Sequence, residues 1–337
     1  MKKAAKITGI VAAALIIIYF AGPKVDPGDI TRDLPKVPAD LTALEKMIRQ
    51  REATIPNLKA DNQAVFVWND SVPQVTEYSM VYLHGFSASR MEGNPIHRRL
   101  ASRYGCNLYL PRITGHGLDE QEAMLNLTAE EMMASAAEAI AIGQQIGKKV
   151  ILLTTSTGGT YALWLAGGHI NIEALILYSP NVKIYDPNAF LLSRPWGLEM
   201  ARLVKKSDYH QWPLDTPNVY YWTNKYRLEV LTQLQAMVEE TMNEETFEDI
   251  SQPVFMGYYY KDDTAQDNTV SVPAMLEMFD MLGTPDSLKR KVAFAEAGHH
   301  VIGSSLTSEA VDQVFLETTR FLEEVVGLKA INPDSLK

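Results

Sequence analysis

Cysteine is almost absent: the 337 residues contain one, Cys106. That excludes an internal disulfide and any multi-cysteine zinc site. In "YGCNLYL" this residue reads as a small buried hydrophobe. Positive charge is also short, with 31 Lys and Arg against 41 Asp and Glu and a formal net charge of −10. The basic face of a general nucleic-acid binder is therefore missing. No fixed-period repeat or low-complexity tract occurs. What is plentiful is ordinary core material, 46% hydrophobic against 21% charged residues, enough for one large α/β domain or two smaller ones.

Long apolar runs are equally scarce, and the longest stands at the N-terminus. "MKKAAKITGIVAAALIIIYFAGP" places Lys2, Lys3 and Lys6 before an uncharged stretch from Ile7 to Gly22. A spanning helix needs about 20 apolar residues, with a range of ~17–25, so this stretch is at the short edge. Tyr19 and Phe20 are bulky where a cleavage site needs small residues, and no cysteine follows to carry a lipid. Residues 1–22 are therefore expected to be an uncleaved signal anchor, with the lysines cytoplasmic and the bulk of the chain on the extracytoplasmic side. The alternative is cleavage, giving a secreted or periplasmic protein. Residues 23–60 follow as a linking region. Pro23, Pro27, Pro35 and Pro38 lie among charges and predict an extended tether, and "LTALEKMIRQREATIP" has the period of a short amphipathic helix.

Residues 61–337 read as one domain. "QAVFVWN", "YSMVYLHG", "CNLYLPR", "KKVILLTTS", "IEALILYSP", "QPVFMGYYY" and "KRKVAFAEAG" are strand-like. Between and after them lie the helical patterns "GNPIHRRLASRYG", "TAEEMMASAAEAIAIGQQIG", "GGTYALWLAGG", "VPAMLEMFDMLG" and "SEAVDQVFLETTRFLEEVVG". Thr128 and Glu131 form a capping-box pair at the start of the second helix. Short apolar strands alternating with helices predict a mostly parallel, doubly wound sheet covered on both faces. Residues 183–250 interrupt the alternation with Trp, Tyr, Met and Leu but no core strand, and are expected to be a helical cap inserted over the strand ends.

Chemistry is expected where the apolar run of "VILLTTSTGGTYALWLA" stops. Ser156 stands between a strand and a helix among small residues, as a nucleophile on a sharp elbow would. Gly158 suits that geometry; Thr154 stands where a glycine is usual and fills space that glycine would leave open. A serine hydroxyl needs a base, usually an oriented histidine. Chain order Ser, Asp/Glu, His points to "AGHH" after the last strand, with His299 beside the glycine as the base and His300 as its alternative. The acid is expected from "KDDTAQDN": Asp267 first, Asp263 second, with Asp262 also near the strand end. Two amides, of Phe86 in "YLHGFSAS" and of Thr157, are placed to receive a developing oxyanion, and His84 to brace the first loop. The adjacent His299 and His300 lack the further spaced ligands of a metal site.

Taken together, "LHGFSAS", "PRITGHG", "TTSTGG" and "GHH" resemble, in order, the α/β-hydrolase superfamily over roughly Val65 to Gly327. Gly115-His116-Gly117 is similar to a loop of its serine esterase, monoacylglycerol-lipase and lysophospholipase-like branch. The resemblance implies an α/β-hydrolase fold whose variable cap falls at residues 183–250, and ester hydrolysis through an acyl-enzyme on Ser156, without metal or organic cofactor. Trp196, Tyr209, Trp212, Tyr220, Tyr221 and Trp222 could line an acyl pocket or form the cap's own core. With the expected anchor they point to a lipid-derived or other hydrophobic ester. The alternatives are a thioester or amide hydrolase on the same residues, or a silent membrane-tethered binding protein.

Overall fold

The apolar run in front of Ser156 is a central strand of a seven-stranded sheet. A computed structural model describes residues 2–168, 171–215 and 217–332. In chain order its helices are α1 (Lys2–Phe20), α2 (Leu41–Ala53), α3 (Ile96–Tyr104), α4 (Ala129–Ile146), α5 (Thr157–Ala166), α6 (Gly197–Lys205), α7 (Leu228–Thr241), α8 (Glu244–Glu248), α9 (Val272–Met281) and α10 (Val311–Glu324). Its strands are β1 (Val65–Val67), β2 (Thr76–Leu83), β3 (Asn107–Leu110), β4 (Gly147–Thr155), β5 (Ile172–Tyr178), β6 (Tyr209–Gln211), β7 (Lys225–Arg227), β8 (Val254–Tyr258), β9 (Tyr260–Asp262), β10 (Ala265–Gln266) and β11 (Lys289–Ala293).

The main sheet runs β1-β3-β2-β4-β5-β8-β11, antiparallel only between β1 and β3. Strand side chains alternate between two cores, as a period of two requires. Val150 and Leu152 of β4 join one core with Val81, Leu83, Leu175 and Leu177, covered by α2, α4, α5, α7 and α9. Ile151 and Leu153 join the other with Met80, Tyr82, Ile176 and Phe255, covered by α3 and α10. Burying each of these aliphatic side chains is worth roughly 1.5–3 kcal/mol. The two-sided cover explains why β4 reads as an unbroken apolar run.

Local signals set the helix starts. Thr128 Oγ1 accepts from Glu131 N at 3.1 Å and Glu131 Oε2 accepts from Thr128 N at 3.0 Å, closing the capping box ahead of α4. Asp40 caps α2 through Ala43 N at 2.7 Å. Between β5 and β8 the chain carries α6, α7, α8 and the small antiparallel β6–β7 pair, none of it in the main sheet. This segment meets the loop after β2, where Thr223 N donates to Ser87 O at 2.7 Å and the Tyr226 ring stands edge-on to Phe86 at 5.2 Å.

Two expectations for the N-terminal region need correction. No helix among the described residues is long and apolar enough to cross a membrane, so the expected transmembrane anchor has no span to carry it. The stretch after α1 contains no helix or strand before α2, as an extended segment would, but it lies along the domain rather than standing off it as a tether. Arg32 pairs with Asp249 at 2.6 Å and stacks over Trp164 at 4.3 Å, and Ile30, Leu34 and Val37 pack on the core. Those apolar side chains, spaced between the prolines, supply the burial that a free linker lacks.

Candidate active site

The junction of β4 and α5 holds Ser156 at φ 55°, ψ −120°, a backbone conformation that a non-glycine residue keeps only when its surroundings impose it. Three hydrogen bonds do so: Ser156 N donates to Tyr178 O at 2.9 Å, and Ser156 O accepts from Gly159 N at 2.8 Å and Asn181 N at 2.9 Å. Close approach does the rest. A methyl group on Gly158 would lie 1.9 Å from Leu83 O, so no side chain fits there. Thr154, where a glycine was expected, is fully buried, and its hydroxyl donates to Ile176 O at 3.1 Å. The branched residue is thus absorbed by the neighbouring strand, and the elbow forms around it. Ser156 itself retains 7% exposure.

The acid–histidine pair differs from the expectation in one member. Asp267 Oδ2 lies 2.6 Å from Nδ1 of His300, not of His299. Asp267 is 1% exposed, and its other oxygen accepts from Thr269 N at 2.9 Å and Val270 N at 3.1 Å. Burial pushes this carboxyl up, but the His300 ring and the two amides outweigh it and hold it below its ordinary value. Burial likewise lowers His300, and the Asp267 contact outweighs that and raises it. With Nδ1 engaged, His300 Nε2 is buried and has no hydrogen-bond partner among the described residues. His299 stands on the exposed side of the turn, and its Nδ1 accepts from Val301 N at 3.0 Å. Adjacent residues project differently, and here it is His300, not the His299 expected from its place beside Gly298, that meets Asp267. The alternative acids are committed elsewhere. Asp263 accepts from the Tyr260 hydroxyl at 2.8 Å on the surface, and Asp262 caps a turn through Thr264 N at 2.8 Å and Ala265 N at 2.9 Å.

The loop after β2 lies against the elbow. Thr157 opens α5, so its amide is among those that a helix leaves without an internal acceptor. Phe86 follows Gly85 in the loop after β2, its ring wedged edge-on between His116 and Tyr226. Beneath that loop His84 is fully buried, with Nδ1 2.9 Å from Gly85 O and Nε2 accepting from Ile113 N at 3.1 Å. Burial, then the neighbouring His116, lowers His84 to about 3, so it is a neutral brace between loops. His116, in the Gly-His-Gly turn, is likewise lowered to about 4 by burial and bonds Thr114 O at 2.9 Å.

One carboxyl escaped the reading of the sequence. Glu92 lies in a short 3-10 turn after Ser89 and is 2% exposed. Its Oε2 accepts from Gly85 N at 2.6 Å and lies 3.1 Å from the Tyr82 hydroxyl. Burial pushes this acid up to about 7. Only the triplet "MEG" marks it, and nothing in that triplet distinguishes a buried glutamate from a surface one.

Of the aromatic residues in the inserted segment, Trp222 is buried and Tyr220 is exposed. Tyr209 sits among charges, bonded to Glu122 and stacked with Lys225 and Arg227. Trp196 Nε1 donates to Ile18 O at 3.1 Å. These two hold the segment together or against α1. Among the described residues no cluster of three metal-ligating side chains occurs.

Comparison with known proteins bears on the family and the fold. The model of the alpha/beta hydrolase family matches residues 80–314. Among solved structures, one from the metagenome-derived lipolytic enzymes LipS and LipT aligns at TM-score 0.61 and 14% identity, covering 79% of this chain and 99% of that one. The monoacylglycerol lipase of Paleococcus ferrophilus aligns at 0.56 and 16% identity, covering 79% and 98%. Est1E from Butyrivibrio proteoclasticus, with ferulic acid bound, aligns at 0.52 and 15% identity, covering 78% and 95%. At these identities the likeness is one of fold. No curated protein matches by sequence.

Proposed function

Since the chain belongs to the alpha/beta hydrolase family, we propose that it hydrolyses a carboxylic ester with a hydrophobic acyl group through an acyl-enzyme on Ser156. The observation that carries this reading is the strained backbone of Ser156 at the β4–α5 junction, a cost with no purpose unless the hydroxyl is on display. His300 Nε2 takes the Ser156 proton as Oγ attacks the acyl carbon. Asp267, bonded to Nδ1, fixes the tautomer and stabilises the imidazolium that forms. The Phe86 and Thr157 amides receive the oxyanion, a contribution of ~2.7–4 kcal/mol for one such donor. The protonated His300 gives its proton to the departing alcohol, and a water activated by His300 then releases the acid and restores Ser156.

The acyl preference is supported by the apolar side chains exposed on the inserted segment, Phe190, Leu191, Val219 and Tyr220, the last two shortly before Thr223, which bonds the loop after β2. A panel of p-nitrophenyl esters from acetate to decanoate tests it. Highest kcat/KM at medium chain length is expected, and a maximum at acetate would contradict the acyl preference.

A further inference from the structure

We infer that Glu92 is a positioning residue for the oxyanion loop: it holds Gly85 so that the Phe86 N–H faces an ester carbonyl at Ser156. The inference rests on the reading of Ser156 as nucleophile. It starts from a constraint at Gly85. A methyl group on this residue would come within 3.0 Å of Ser156 Cβ and 2.9 Å of Glu92 Oε1, so a side chain there would press on both. Glycine is also the residue whose φ and ψ are freest, and a loose peptide there would let the next amide wander. Catalysis by hydrogen-bond donors depends on those donors being fixed before charge develops.

Two buried side chains remove that freedom, one from each side of Gly85. His84 Nδ1 holds Gly85 O at 2.9 Å, and that carbonyl belongs to the same peptide plane as the Phe86 N–H. Glu92 Oε2 holds Gly85 N at 2.6 Å, fixing the preceding plane. Glu92 is in turn anchored through Tyr82. The Tyr82 hydroxyl lies 3.1 Å from Oε2 and 3.0 Å from Oγ1 of Thr155, the residue before Ser156. Burying a carboxyl is costly unless its oxygens are bonded, and here the bonds link the oxyanion loop to the strand that leads into the elbow.

The test compares Glu92→Gln and Glu92→Met with wild type and Ser156→Ala, using p-nitrophenyl butyrate and the full chain. Gln keeps an oxygen acceptor for Gly85 N; Met keeps the volume and removes the acceptor. The expected result is kcat within about 5-fold of wild type for Gln. For Met the expected result is a fall of roughly 10–100-fold in kcat with KM within about 3-fold, the pattern of an interaction made in the transition state. A Met variant with wild-type kcat overturns the role of Glu92. So does a folded Gln variant whose kcat falls about 10-fold or more, and that arm stands even if Met does not fold. Activity persisting in Ser156→Ala overturns the nucleophile reading and this inference with it; loss there beside an intact Met variant overturns only the inference.

Discussion

Asp267 holds His300, with 2.6 Å between Oδ2 and Nδ1, while the adjacent His299 turns outward and spends its Nδ1 on the amide of Val301. One residue of displacement along the chain separates a ring that faces a buried carboxylate from one that faces solvent.

The pH dependence of the reaction follows from that contact. His300 must be neutral to act as base, and Asp267 raises its pKa above the ordinary 6.5 against the opposing effect of burial. Thus kcat/KM should fall as pH drops through a value above 6.5 and be level on the alkaline side of it. Asp267→Asn removes the carboxylate, so the acid limb should move to lower pH and kcat should fall by about 10³-fold or more. A pH–rate profile of both proteins checks this; an unmoved limb would remove Asp267 from the account.

Glu92 makes a separate prediction about stability. Its folded pKa, about 7, lies above the 4.5 expected of an exposed glutamate. The folded state therefore holds this proton where the unfolded state has lost it, so the destabilisation from Glu92 grows as pH rises from 4.5 to 7 and is complete above that. At about 1.4 kcal/mol per tenfold change in proton affinity it approaches ~3 kcal/mol. Glu92→Gln carries no such proton, so its Tm relative to wild type should climb between pH 4.5 and pH 8. A Tm difference that stays flat across that range would count against a buried, proton-retaining Glu92.

Gly158 is the position at which the elbow is least tolerant. In an ordinary helix Gly→Ala gains roughly 0.5–1 kcal/mol. Here the new methyl would meet the Leu83 carbonyl at 1.9 Å, so β2 and α5 must be forced apart. Gly158→Ala should therefore lose at least ~1–3 kcal/mol, the usual range for overpacking, seen as a drop in Tm. An unchanged Tm would mean that β2 and α5 are not in the contact described.

Much of this architecture was legible because burial on two faces leaves a continuous apolar signature. Val150–Leu153 shows it in β4, and the Thr128–Glu131 pair announces α4 just as plainly. The sharp turn at Ser156 was legible from its small neighbours, but Thr154 obscured it, since one hydrogen bond to Ile176 O makes a branched residue acceptable and no local pattern signals that bond. Which of His299 and His300 meets Asp267 depends on the orientation of a turn, and neighbouring residues carry no period from which to read it. Glu92 was hidden for a related reason: its partners Gly85 and Tyr82 meet it only when β2 and the turn after Ser89 are packed. In the segment before α2, prolines and charges dominated the reading, while Ile30, Leu34 and Val37, which dock it on the domain, were too sparse to form a pattern.

The central claim is that Ser156 is activated by His300 in partnership with Asp267. It is tested most directly by intact-mass measurement of fluorophosphonate adducts on wild type, Ser156→Ala, His299→Ala and His300→Ala. One adduct per chain is expected on wild type and on His299→Ala, and none on Ser156→Ala or His300→Ala under the same conditions. Labelling that survives in Ser156→Ala, or that disappears in His299→Ala while His300→Ala still reacts, would contradict it.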